Sequence, residues 1–402
     1  MAESEDHLFG VYARAPIEVE RGEGAWLYDR SGRAYLDFVQ GIAVNGLGHA
    51  NPVLIDAMTA QARKLWHVSN IFTIPGQVDL ATQLCDASFA DQVFFTNSGA
   101  EAIECALKLT RKYHASKGHP ERIDVIGFEG AFHGRTYAAV TAAGNETYLT
   151  GFGPRLPGFV HLSLDDHDAI RAAAEAPTAA AILVEPVQGE GGARALTDAE
   201  LKMLRDLCDQ NGLLLIFDEI QCGMGRTGKL WAYEYSGVTP DVMCIAKALG
   251  GGYPIGACLA TRDAASGMVV GSHGSTFGGN PLAMAVGLAA FGEISKPELL
   301  ENVRQQAGYL KQQLEGLKQT WPDMIDEIRG KGLLVGIKLK PNNREVMTAA
   351  RDQGLLIAGG SDNCVRLLPP LNVTEAEARE ALGLLEKTFA VVREAAKAKE
   401  TA

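Results

Sequence analysis

The chain has 402 residues, of which 47% are hydrophobic and 21% charged, a globular balance long enough for more than one domain. A formal net charge of −12 argues against a nucleic-acid partner, because phosphate binding needs a basic face. The acidic opening M-A-E-S-E-D-H lacks the basic flank and apolar core of a targeting peptide. No apolar run approaches the ~18 residues of a membrane span, and the seven cysteines are scattered, so a cytoplasmic protein with reduced thiols and no membrane contact is expected.

Residues 17–38 alternate polar and apolar around two glycine-containing turns, which predicts an antiparallel meander. From about residue 56 the pattern changes to helices alternating with short apolar runs. The runs begin at Val93, Val125, Ala181, Leu213, Val242 and Ile255, and several are apolar throughout, as strands of a mostly parallel sheet are. Residues 297–320 read as one long amphipathic helix. Short strands at about 332–339, 355–358 and 365–368 follow, then a closing helix from about Thr374 whose tail, from residue 395, is expected to fray. The expected architecture is α/β. A large domain over residues 56–290 is flanked by a smaller one built from residues 1–55 and 291–402.

Two strand ends carry the chemistry. The run L-L-L-I-F ends in Asp218-Glu219, and the run V-M-C-I-A ends in Lys247, just before Gly250-Gly251-Gly252. A lysine can bind an aldehyde covalently, and a buried aspartate can hold a proton on a ring nitrogen, a pairing that suits pyridoxal phosphate. A lone lysine in this position is also compatible with a plain surface residue. Gly223, Gly225 and Gly228 match a dinucleotide fingerprint, but the acidic Asp241 that follows starts a strand instead of ending one. The same glycines nearly complete a P-loop, yet Leu230 stands where a magnesium-binding hydroxyl belongs. No metal site is expected. The turn Asn97-Ser98-Gly99-Ala100 lies between a strand and a helix, where a phosphate would meet free N–H groups and the positive end of the dipole. It is equally a plain N-cap.

Six motifs, in order, resemble one family. They are N-S-G-A-E-A from Asn97, G-A-F-H-G-R-T from Gly130, E-P-V-Q-G-E-G-G from Glu185, D-E-I-Q from Asp218, A-K-A-L-G-G-G-Y-P from Ala246 and T-F-G-G-N-P from Thr276. Together they resemble the class III aminotransferases of pyridoxal-phosphate fold type I, over about residues 10–370. The resemblance implies a seven-stranded, mostly parallel sheet in the large domain, a small α+β domain from both termini, and pyridoxal 5'-phosphate as cofactor. Lys247 would carry the cofactor and move the substrate proton. Asp218 would pair with the ring nitrogen, and Gln221 would lie near the ring hydroxyl. Phe132 and Ile220 would cover the two ring faces, with Glu219 also at the cofactor. Ser98, Gly99 and Ala100 would bind the phosphate. Thr276 would reach the phosphate of a neighbouring subunit, which implies a homodimer with sites at the interface.

The same resemblance assigns substrate contacts. Arg366 would grip the 2-oxoglutarate carboxylate bidentately, and Glu190 would neutralise Arg366 while the amino donor is bound. A merely structural Glu190–Arg366 ion pair fits the sequence equally. Arg135 would hold the donor's α-carboxylate. The stretch from Arg21 to Ala50 looks like the acylornithine-using members. Free-ornithine enzymes carry tyrosine where Ile42 falls, and an aliphatic residue leaves room for an acyl group. GABA-using members share the aliphatic residue but carry longer insertions. Ser275 would touch the acylornithine across the dimer. The expected substrates are therefore N-acetylornithine and 2-oxoglutarate, giving glutamate; N-succinylornithine, or both donors with succinyl-diaminopimelate, is the alternative. Ile103 and Cys222 depart from the family's asparagine and threonine, and both changes are expected to be tolerated.

Overall fold

The computed structural model describes residues 7–400; the acidic residues 1–6 and the last two, 401–402, lie outside the description. The predicted meander is present as β1 (Val19–Glu23), β2 (Trp26–Asp29) and β3 (Ala34–Asp37), each antiparallel to the next. The large sheet uses β4 (Gln92–Thr96), β5 (Asp124–Phe128), β6 (Phe159–Leu162) and β7 (Ala179–Val184). A short hairpin of β8 (Val187–Gln188) and β9 (Arg194–Ala195) follows, then β10 (Leu214–Asp218), β11 (Val242–Ile245) and β12 (Gly256–Ala260). Its order is β4-β12-β11-β10-β7-β5-β6, and only β12 runs against the others. The central strands β7, β10 and β11 are buried along their whole length, which is why they read as unbroken apolar runs. Of the seven strands in this sheet, β6 is the one the pattern missed; the short β8 and β9 were missed as well. Strand β6 is an edge strand, half-buried throughout, and carries His161 among its apolar residues.

The second layer of the molecule comes from both chain ends. An antiparallel sheet of β13 (Ile325–Lys331), β14 (Leu334–Leu339), β16 (Ala358–Gly360) and β17 (Cys364–Leu367) runs in the order β13-β14-β17-β16. Just before β16, β15 (Leu355–Leu356) instead pairs parallel with β3, placing Leu355 opposite Leu36. The single strand expected at 355–358 is therefore split between two sheets, with Ile357 as the joint. Helices Pro297–Thr320, Asn343–Asp352 and Glu375–Glu400 cover this layer. The last stays helical to Glu400 instead of fraying from residue 395. Lys399 pairs with Glu345 and Arg393 with Asp323 along it. Among the described residues no helix is long and apolar enough to cross a membrane.

Candidate active site

Loops after the carboxyl ends of β4, β5, β7, β10 and β11 converge on one hollow of about 480 Å³, the position where open α/β sheets hold ligands. Ser98, Gly99, Ala100, Phe132, Arg135, Glu190, Asp218, Ile220, Gln221 and Lys247 all line it, although they come from five separate stretches of chain.

Each strand end presents its residue for a local reason. Ser98 caps helix Gly99–Ser116, its Oγ accepting from Glu101 N–H at 3.2 Å, while Glu101 reaches back to Asn97 N–H. The first helical bond is Ala102 N–H to Ser98 O, so the amides of Gly99 and Ala100 come before it and remain available to an anion. The capping and phosphate readings of this turn are thus compatible. A Cβ at Gly99 would stand 2.8 Å from Ile220, so only glycine lets this turn approach the side chain beside it.

Asp218 ends β10 and is buried. Its Oδ2 accepts from His133 Nδ1 at 2.7 Å and its Oδ1 from Ile220 N–H at 3.0 Å. Burial depresses the His133 imidazolium, but the bond to Asp218 and the charges of Asp218 and Glu185 outweigh it, and its pKa is raised. Glu185 accepts from Phe132 N–H and Gly189 N–H, and burial next to the Asp218 charge pushes its pKa up to about 7. His133 and Glu185 both line the hollow, and no role was assigned to either from the sequence. Both stand in quoted motifs immediately after buried strands, and that position was the available signal. His133 Nε2 is buried without a partner among the described residues.

Lys247 follows β11 with φ of +47°, a left-handed conformation that a non-glycine residue rarely adopts without surrounding constraint. Burial lowers its pKa to about 8, with the Arg366 guanidinium adding to the effect and the carboxylates of Asp218, Glu190 and Glu185 opposing it. Arg366, in β17, is buried and donates to Glu190 Oε1 at 2.6 Å, to Gln221 Oε1 at 3.1 Å and to Gly359 O. Glu190 sits on the β8–β9 hairpin and is one-third exposed. Gly189 is obligatory beside it, because a Cβ there would collide with Gln221. Arg135 is exposed at the mouth, its guanidinium 3.5 Å above the ring of Tyr148, which in turn meets Phe132 edge-on.

Five of the expected residues are not in the lining of this hollow. Arg366 reaches it through Glu190 and Gln221, as above. Glu219 turns away. Neighbouring side chains at a strand end point to opposite sides, and its carboxylate accepts from Ala232 N–H and Tyr233 N–H, with its pKa raised to about 8 by burial. Ile42 packs against an apolar cluster with Ala43, Val187 and Ala358, and Val44 takes the lining position. Its backbone is unusual: Gln40, Gly41, Ile42 and Ala43 all have positive φ, a complete left-handed turn. Asp37 secures it by accepting from Val39 N–H, Gln40 N–H and His49 Nε2. Ser275 touches the site only through Asn97 Nδ2, and Thr276 is exposed. Gly223, Gly225 and Gly228 fail as a dinucleotide site for a structural reason. No α-helix follows them; the turn wraps buried Arg226, which donates to Leu333 O and Pro369 O. Among the described residues no cluster of His, Cys, Asp or Glu could hold a metal.

The contents of the hollow fit pyridoxal phosphate. Two open amides and a helix dipole face the place for a phosphate, a buried carboxylate faces the place for a ring nitrogen, and an amine of lowered pKa stands in the hollow with an aromatic and an aliphatic side chain.

Comparison with known proteins agrees. The family model described as "Aminotransferase class-III" matches residues 11–389. The chain is 63% identical over 400 residues to acetylornithine aminotransferase 2 of Caulobacter vibrioides, covering 99% of this chain and 98% of that one. The crystal structure of N-acetylornithine aminotransferase from Stenotrophomonas maltophilia superposes with a TM-score of 0.85 at 38% identity, over 96% and 98% of the two chains. A structure of the Toxoplasma gondii ornithine aminotransferase, described with partial occupancy of pyridoxal phosphate at its active site, superposes at 0.93 with 32% identity, over 98% and 95%. The converging strand ends, the lysine-bearing hollow and these likenesses place the chain in the class III aminotransferases, a pyridoxal-phosphate-dependent family.

Proposed function

We propose that this chain transfers the 5-amino group of N2-acetylornithine to 2-oxoglutarate by a ping-pong cycle, forming N-acetylglutamate 5-semialdehyde and glutamate in arginine biosynthesis, and that it works as a cytoplasmic homodimer. The observation that carries this reading is the buried Arg366 paired with the partly exposed Glu190 beside Lys247, with a second, exposed arginine, Arg135, lining the same hollow. Two arginines, one buried and paired and one exposed and unpaired with a carboxylate, suit two different carboxylate substrates taking turns at one amine. The likeness to relatives named acetylornithine aminotransferase supports the donor.

Bound pyridoxal phosphate supplies an electron sink for proton loss from the donor's terminal carbon. Lys247, neutral in an appreciable fraction of molecules at neutral pH, takes that proton and returns it. Asp218, steadied by His133, keeps a proton on the ring nitrogen. Ser98 and the amides of Gly99 and Ala100 would hold the phosphate, Phe132 and Ile220 would confine the ring, and Gln221 would serve the ring hydroxyl; all of them line the hollow. Arg135 orients the donor by its α-carboxylate, and its Tyr148 stack leaves the guanidinium edge free for two hydrogen bonds. Glu190 neutralises Arg366 during the donor half-reaction and releases it to 2-oxoglutarate in the other. Val44 lines the hollow and Ile42 packs in the apolar cluster beside it, while Ser275 and Thr276 serve the neighbouring subunit's site.

Steady-state comparison of acetylornithine, succinylornithine, ornithine and GABA tests the donor. A free ammonium would enter an apolar wall unpaired, so kcat/KM for acetylornithine should exceed that for ornithine by roughly 10²-fold or more. Equal use of ornithine would overturn the reading.

A further inference from the structure

A second hollow of about 240 Å³ adjoins the first and shares Arg135 with it. Val140, Tyr148, Leu149 and Phe152 give it an apolar lining. Its charged lining residues are Arg135, which it shares with the first hollow, and Arg155; no carboxylate lines it. A trough of this kind is conspicuous in a chain with a net charge of −12. Arg155 is paired with Glu146, which is largely exposed, and an exposed pair of this kind is exchanged for a new anion at little cost.

We propose that this trough is a subsite for the group carried on the donor's α-nitrogen, and that it takes an acyl chain ending in a carboxylate. This rests on the N-acylornithine reading above. If Arg135 holds the α-carboxylate, the acyl chain leaves from the adjacent carbon's nitrogen, beside Arg135 and next to the trough. Methylene groups then lie along Tyr148, Leu149 and Phe152, and the terminal carboxylate meets Arg155, whose planar fork binds carboxylates bidentately. Arg155 is therefore a specificity-determining residue.

The experiment compares three donors, N2-succinylornithine, N2-butanoylornithine and N2-acetylornithine. The first two share a four-carbon acyl chain and differ in the terminal carboxylate. In the wild type kcat/KM should favour succinyl over butanoyl by about tenfold or more, the scale of one charge-assisted contact. Arg155→Gln should bring that ratio close to unity, chiefly by raising KM for the succinyl donor, and Arg155→Lys should restore part of it. A succinyl-to-butanoyl ratio unchanged by Arg155→Gln, in an enzyme that turns over acetylornithine, would overturn the subsite and leave the donor reading standing. Failure of every N-acyl donor would overturn both.

Discussion

The chemistry of the site rests on what burial does to individual groups. A lysine of ordinary pKa is neutral at pH 7 in roughly one molecule in a few thousand, and one with a pKa of about 8 in about one in ten. Capture of pyridoxal phosphate by the apoenzyme should therefore accelerate about tenfold per pH unit up to pH 8 and then level off, since only the neutral amine attacks. Arg366→Gln removes a like charge, so its bend should move to higher pH. Stopped-flow absorbance reads both; a wild-type bend in the ordinary lysine range would refute the assignment. Lys247 and Asp218 were legible because each ends an apolar run, where a polar residue stands out. Glu219 was misread because sequence adjacency hides the alternation of directions at a strand end. The Arg135–Tyr148 stack joins residues that only tertiary packing brings face to face, and nothing in the spacing announced it.

Elements were legible in proportion to their burial. Strands β7, β10 and β11, covered on both faces, have no polar residue before their carboxyl ends, whereas edge strand β6 does not stand out from its surroundings. The left-handed turn at Gln40–Ala43 was unreadable. Left-handed backbone costs about 1–2 kcal/mol per non-glycine residue, and Q-G-I-A has a single glycine, so local preference opposes the conformation that Asp37 and the surrounding packing impose. The helix Gly99–Ser116 gives a sharper test of position. Gly99→Ala places a methyl group within 3.2 Å of three Ile220 atoms, and Ile220, which lines the hollow, must shift. Cofactor affinity should fall about tenfold or more, while the apoenzyme's melting temperature changes little, because alanine is the better helix former. Equilibrium titration with pyridoxal phosphate, alongside apoenzyme melting, separates these effects; unchanged affinity would show that Ile220 does not border the ring.

At the scale of the molecule, one face is left uncovered. Trp66, Ile71, Phe72, Val269, Val270 and Phe277 are all more than half exposed. Their two segments are tied together, since Asn70 Nδ2 donates to Ser275 O and Gly278 O, and the rings of His67 and Phe277 stack at 5.1 Å. An apolar face of this kind is what the homodimer proposed above would bury. Thr276 lies in its midst, exposed and outside the hollow of its own chain. In a two-fold dimer the same patch meets itself, so each Thr276 would enter the other subunit's site. Complementation tests this directly. Lys247→Ala chains lack the amine, and Thr276→Ala chains lack the phosphate contact offered to the neighbour. A mixed dimer of the two has one site with Lys247 from one chain and Thr276 from the other, complete in every residue. Random reassociation of equal amounts at limiting cofactor should recover about a quarter of wild-type activity, because half the dimers are mixed and each has one intact site of two. Activity no higher than the sum of the separate homodimers would place Thr276 outside its neighbour's site.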